Sequence, residues 1–178
     1  MSPVSLRELG ARFAQQGELR WIGVRPAQGA AMSILHQVEL IAGRGLTGDR
    51  TALRGAGGKR QVTLFQFEHL AVLASLLGRE RIAPELLRRN LAVSGINVLA
   101  LRSRHFSIGG LTLEGTGYCA PCRRLEETLG RGGFNASRGH GGITARVLGA
   151  GSIQIGDPVA ALPGEADSDE LGEDDSDF

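Results

Sequence analysis

The only two thiols in the 178-residue chain stand together as Cys119-Ala120-Pro121-Cys122. Two cysteines are too few for a disulfide framework, and a pair at this spacing in a reducing compartment serves metal or redox chemistry more often. The pair follows the turn Gly115-Thr116-Gly117 and precedes a predicted helix from Arg123 to Leu129. A helix start and the adjacent Arg123 and Arg124 both favour the thiolate, so Cys122 is the better placed nucleophile or soft-metal ligand. The plainer alternative is two small buried hydrophobes. A structural zinc site would need four ligands, and neither a second such pair nor a paired-histidine motif is present: His36, His69, His105 and His140 are widely spaced in the sequence. Dithiol exchange of the thioredoxin type would place the pair near the start of a βαβ unit, which the strand pattern here does not supply.

A second group of residues could meet an anion. Asp49 and Arg50 lie in a glycine-rich loop, Lys59 and Arg60 at a strand start, and Arg88-Arg89-Asn90 between a helix and a strand. Element ends of this kind can converge at one mouth of a barrel. Arginine offers planar, bidentate donors, and glycine loops let backbone N–H groups approach the same oxygens, so the set suits a phosphate-bearing ligand. A solvated surface role is the ordinary reading for any one of them alone. The overall charge of +1 conceals an asymmetry. Residues 165–178 carry eight acidic side chains and no basic one, which leaves +9 on the rest. A basic body attracts anions. Nucleic acid would fit that charge too, but binding to single strands adds an aromatic stacking platform, and one Trp, one Tyr and six Phe at mostly core-like positions do not form one.

The elements that must carry these residues are short. Leu6, Leu9 and Phe13 have helical spacing and predict a peripheral amphipathic helix. Strands are expected over 19–24, 33–41, 61–65, 90–94, 105–108, 111–114, 143–148, 152–155 and 159–162, with helices over 67–77, 84–88 and 123–129. The 27 glycines are scattered between these runs as turns. Eight or nine strands at this spacing imply a mainly β fold with peripheral α, a closed or nearly closed barrel without exposed edges. The organisation expected is an N-terminal helical segment over 1–18, one domain over 19–163 and a disordered acidic tail over 164–178. No apolar run approaches a membrane span and the N-terminus lacks a signal peptide's hydrophobic stretch, so a soluble cytoplasmic protein is expected.

In order along the chain, GLTGDR (45–50), KRQVTL (59–64), LLRRNLAVSGINV (86–98), FSIG (106–109), TGYCAPC (116–122) and GGITARVLGAGSIQIGDPV (141–159) resemble the MOSC domain. That domain is related to the C-terminal part of molybdenum-cofactor sulfurases. The likeness covers about residues 20–162 and is nearest to small stand-alone bacterial members, because no pyridoxal-dependent desulfurase domain is present. The resemblance implies a β-barrel with peripheral helices that binds molybdenum-molybdopterin, with the thiolate of Cys122 on the metal. It places the family's arginine and asparagine on Arg89 and Asn90, Arg89 neutralising the cofactor phosphate, and puts Asp49 and Arg50 at the same end, with Lys59 and Arg60 as further cofactor-binding candidates. Relatives of this kind reduce N-hydroxylated compounds, so the implied activity is removal of oxygen from N-hydroxylated bases or related small molecules. His140 is then a candidate proton donor. The chain contains no flavin or iron-sulfur module, so electrons would come from a separate reductase. The alternative function is a sulfur carrier, with a persulfide on Cys122, or a cofactor carrier without turnover.

Overall fold

The computed structural model describes residues 4–163; the expected acidic tail lies outside the described residues. Eleven strands are present: β1 (Gly17–Val24), β2 (Ser33–Leu35), β3 (Gln37–Ile41), β4 (Gly45–Leu46), β5 (Val62–Gln66), β6 (Leu91–Ser94), β7 (His105–Ile108), β8 (Leu111–Tyr118), β9 (Ile143–Val147), β10 (Gly151–Gln154) and β11 (Pro158–Ala161). The main sheet runs β11-β7-β8-β9-β5-β6-β1-β2, and β11 also pairs with β1. That last pairing closes seven strands into a barrel, with β2 attached outside on β1. Only β5 and β6 run parallel; the other neighbours in the barrel are antiparallel. A small second sheet, β10-β3-β4, completes the fold.

Alternation along the strands fills the barrel. Leu19, Ile22, Val62, Leu64, Leu91, Val93, Ile143 and Ala145 belong to one buried cluster with Phe106, Ile108, Leu113 and Val159. The intervening residues face outward, and Trp21, Phe65 and Ala92 form a second core outside the wall. Helix α2 (His69–Leu76) covers this outer core through Leu73 and Ala74, and α3 (Arg123–Leu129) through Leu125 and Leu129. The aliphatic, aromatic-poor composition thus suffices for two cores because the barrel wall separates them.

Several departures from the sequence reading matter. The run 33–41 is two strands: the chain changes sheet at His36, so β2 pairs with β1 whereas β3 pairs with β10 and β4. Helix α1 (Leu6–Gly10) forms with a Ser5–Glu8 capping box, yet buries none of its own residues; Leu6 is 86% exposed. Phe13 alone of the expected stripe packs on the barrel core. Finally, β8 is twice its expected length and runs straight to Cys119, bulged between Gly115 and Gly117. A one-turn helix, α4 (Gly133–Ala136), and a 3-10 turn over Val98–Leu101 were not foreseen.

Candidate functional site

The cysteine segment leaves the barrel where β8 and β9 meet. Cys119 N–H donates to Gly142 O at 2.9 Å, which extends the β8–β9 ladder by one step. Gly141 and Gly142 must be glycine: a Cβ on Gly141 would strike the Cys119 carbonyl, and one on Gly142 (φ 84°) would strike that of Leu64. The close approach folds Cys119 inward, 1% exposed, and leaves Cys122 exposed at the first position before α3.

Arg89 holds this loop in place. It is 4% exposed, and its guanidinium donates to Gly141 O (3.0 Å), Ala120 O (3.2 Å) and Cys119 O (3.3 Å). Burial pushes its pKa below the usual arginine range, and the nearby Cys119 sulfur acts in the opposite direction. Arg60 reaches the same thiol, with Nη2 3.2 Å from Cys119 Sγ. The buried thiol, not the exposed one, is therefore the sulfur with a direct guanidinium contact.

Asp49 and Asn90 meet in a separate, closed knot. Asp49 is fully buried and accepts from Arg25 Nε (3.0 Å), Arg25 Nη2 (3.1 Å), Asn90 Nδ2 (2.8 Å) and the backbone N–H groups of Arg25 and Thr51 (both 2.9 Å). Burial alone would raise its pKa, but the bonds and charge of Arg25, with the two backbone donors, hold it down at about 2. Asn90 Oδ1 accepts from Arg25 Nη2 (3.0 Å) and from both the N–H and Oγ1 of Thr63 (3.1 and 2.9 Å). Thr63 sits between the inward-facing Val62 and Leu64 and faces outward, so the knot packs on the outer face of β5, where β1 ends and β6 begins. Arg25 is the residue the sequence reading missed. A carboxylate in a buried loop requires a cation, and Arg25 at the end of a strand was an available candidate.

Other cations act on the neighbouring Arg88. Arg88 adopts a left-handed backbone (φ 54°), which turns consecutive arginines apart: Arg89 inward, Arg88 toward Ala30 O at 2.9 Å. Such a conformation costs a non-glycine residue on the order of 1 kcal/mol and is retained where the surroundings impose it. Arg88 is pushed below its usual pKa first by burial and then by the like charges of Arg124, Arg25 and Arg50. Arg124 has one carboxylate contact, Glu127 at 3.1 Å, and Arg123 is largely in solvent. Lys59 is exposed, and its carbonyl accepts from Thr116 Oγ1.

His140 is half-buried and pairs with His69, Nδ1 to Nδ1 at 3.3 Å. His69 has a lowered pKa, chiefly from burial and then from the charge of His140, with Glu68 opposing. His140 immediately precedes the Gly141 that Arg89 and Cys119 engage, so it adjoins the cysteine loop through the backbone. Among the described residues, no three His, Cys, Asp or Glu side chains gather as a metal-binding group. A metal held by Cys122 would bring its other ligands with it.

A closed, mainly β barrel with a glycine-clamped cysteine loop on its wall defines the class. A MOSC-domain family model matches residues 49–160, and the chain belongs to that family. The family is associated with molybdenum cofactor binding. Solved structures with the same fold include the YuaD protein of Bacillus subtilis (20% identity, TM-score 0.68, 83% of this chain and 97% of that one). YiiM of Escherichia coli (17%, 0.63, 84% and 72%) and YiiM of Geobacillus stearothermophilus (16%, 0.65, 82% and 75%) are similar in the same way. No curated protein matches significantly. Among the described residues, no helix is long and apolar enough to cross a membrane.

Proposed function

We propose that this chain binds molybdenum-molybdopterin with Cys122 as the protein ligand of the metal and reduces N-hydroxylated bases or related small molecules. The observation that carries the reading is the exposed Cys122 thiol immediately before Arg123 and Arg124, the latter one of the like charges acting on Arg88, in a family associated with that cofactor. The donor set fits the group. A soft thiolate suits a dithiolene-bound metal, and an arginine cluster suits a phosphate. When bound, the cofactor supplies a metal centre able to pass two electrons to the substrate.

The chain's own residues bind and orient. Arg50, Arg88 and Arg124 attract the phosphate, and bringing an anion among them relieves their repulsion. Arg89 fixes the loop carbonyls at Cys119, Ala120 and Gly141 and so sets where the Cys122 thiol points. Converting N–OH to N–H consumes two electrons and two protons and releases water. The electrons come from a separate reductase, and the His140–His69 pair can hold one of the protons near the loop.

The test is expression in a cofactor-competent host, with molybdenum and pterin content measured for wild type and Cys122→Ser, followed by reduction of a test hydroxylamine with an artificial electron donor. Wild type should retain molybdenum and reduce the substrate; Cys122→Ser should keep the fold and lose the reduction. A loaded wild type that reduces no N-hydroxylated compound, yet accepts persulfide sulfur on Cys122, replaces the enzyme with the sulfur carrier.

A further inference from the structure

We infer that His69 and His140 form a site for one divalent transition-metal ion of the zinc type, separate from Cys122; an ion there would displace the proton that the pair holds in the proposed reaction. The two Nδ1 atoms are 3.3 Å apart. Two imidazole nitrogens on one tetrahedral zinc, each at 2.0–2.1 Å, stand about 3.3–3.4 Å from each other. The spacing needed by the ion is already present. The rings cross at 86° with centroids 4.5 Å apart, so they do not stack. Rotation of the rings about their side-chain bonds would be needed to bring both lone pairs onto a common point.

The backbones that carry the rings are fixed from different parts of the fold. His69 is the first residue of α2 and follows β5, while His140 N–H donates to Ser137 O at 3.0 Å and the next two residues are tied to Arg89 and Cys119. The pair is thus preorganised by the tertiary structure, 71 residues apart in the sequence. Both rings are half-buried, which leaves an open side for water to complete the coordination. Glu68 adds a negative charge next door. Its oxygens are engaged by Gln66 Nε2 (2.6 Å) and Gly95 N–H (2.8 Å), so it acts through charge and not as a ligand.

Without an ion, one ring donates its Nδ1 proton to the other. Metal binding moves that proton to Nε2 of the same ring, and both imidazoles enter as neutral ligands with no other change in bonding. With only two protein ligands the site is exchangeable, unlike a closed four-ligand zinc site. Its consequence is mechanical: an ion here ties α2 to the turn that backs the cysteine loop.

The experiment is titration of the full chain, free of chelators, with zinc chloride by calorimetry, in wild type, His69→Gln, His140→Gln and Cys119→Ser/Cys122→Ser. One equivalent should bind to wild type and to the cysteine variant, and each histidine variant should lose about tenfold or more in affinity. Imidazole nitrogen resonances of wild type provide a readout that needs no variant. Zinc should shift those of His69 and His140 before those of His36 and His105. Unchanged affinity in both histidine variants, loss of binding in the cysteine variant, or shifts confined to His36 and His105 would each overturn the assignment.

Discussion

Two polar regions flank Arg89, and they differ in what their charges face. In the knot, Asp49, Arg25, Asn90 and Thr63 satisfy one another completely, and the carboxylate is fully buried. Around Arg88, by contrast, the charges acting on the guanidinium are the like charges of Arg124, Arg25 and Arg50, of which Arg25 is paired with Asp49 and Arg124 with Glu127. The same residue types at element ends therefore do opposite work. A closed ion pair fixes the fold, whereas in the proposed function the like charges around Arg88 attract the phosphate of the ligand. Breaking one region should cost stability, and breaking the other should cost affinity.

The largest stability effect is expected at Asp49. Asp49→Ala removes the acceptor of five hydrogen bonds from Arg25, Thr51 and Asn90 and strands Arg25 against the wall, which should cost about 3–5 kcal/mol in denaturant unfolding. Asp49→Asn keeps the shape and should lose less. If Asp49→Ala were neutral, the knot would be a ligand site after all. Arg89→Ala comes next. It leaves the Cys119, Ala120 and Gly141 carbonyls without their donor, at about 2–3 kcal/mol, and should expose the loop to proteolysis.

How these roles divide was only partly legible in the sequence. The strands over 19–24, 61–65 and 105–108 and the helix over 123–129 show their own periodicity, and the structure has them within a residue or two. Barrel closure was visible only as strand number, because Gly17 pairs with Val159 and Glu18 with Pro158 across almost the whole chain. The change of sheet at His36 has no local signature, since a strand that leaves one partner for another keeps its alternation. The sequence marks Asp49, Arg89 and Asn90 as cofactor-binding candidates, but their burial is a tertiary property. Nothing in RRN distinguishes an arginine turned outward from one turned inward; the left-handed Arg88 makes that difference. Likewise, His69 and His140 look isolated until β5 and β9 lie side by side.

Acid should weaken the knot by a smaller amount. The folded pKa of Asp49, about 2, lies below its ordinary 3.8, so the folded state binds this proton less readily than the unfolded chain. Its contribution is fully present above the ordinary value and is lost as pH falls from about 4 through 2. The loss should be roughly 1–2 kcal/mol after allowing for solvent screening at the partly open Arg25 end. Comparing urea midpoints at pH 6 and pH 3 for wild type and Asp49→Asn isolates it: the variant should show a shallower decline. Parallel declines would assign the acid sensitivity elsewhere.

The smallest stability effect should come from the residue with the largest functional one. Cys122 is exposed, makes no side-chain capping bond, and precedes a helix whose own packing rests on Leu125 and Leu129. Cys122→Ser should therefore shift unfolding by no more than about 0.5 kcal/mol, the range of surface substitutions. Cys119→Ser is the matched contrast, because its thiol is buried against Arg60 and beside the Arg89-bound carbonyls. A hydroxyl there is smaller and more polar, and a loss of about 1–2 kcal/mol is expected. Thermal and urea unfolding of the two variants, measured on the cofactor-free chain, separate packing from ligation. Should Cys122→Ser prove the more destabilising of the two, the exposed thiol would have a structural partner, and its proposed role as a ligand and not a packing group would fail.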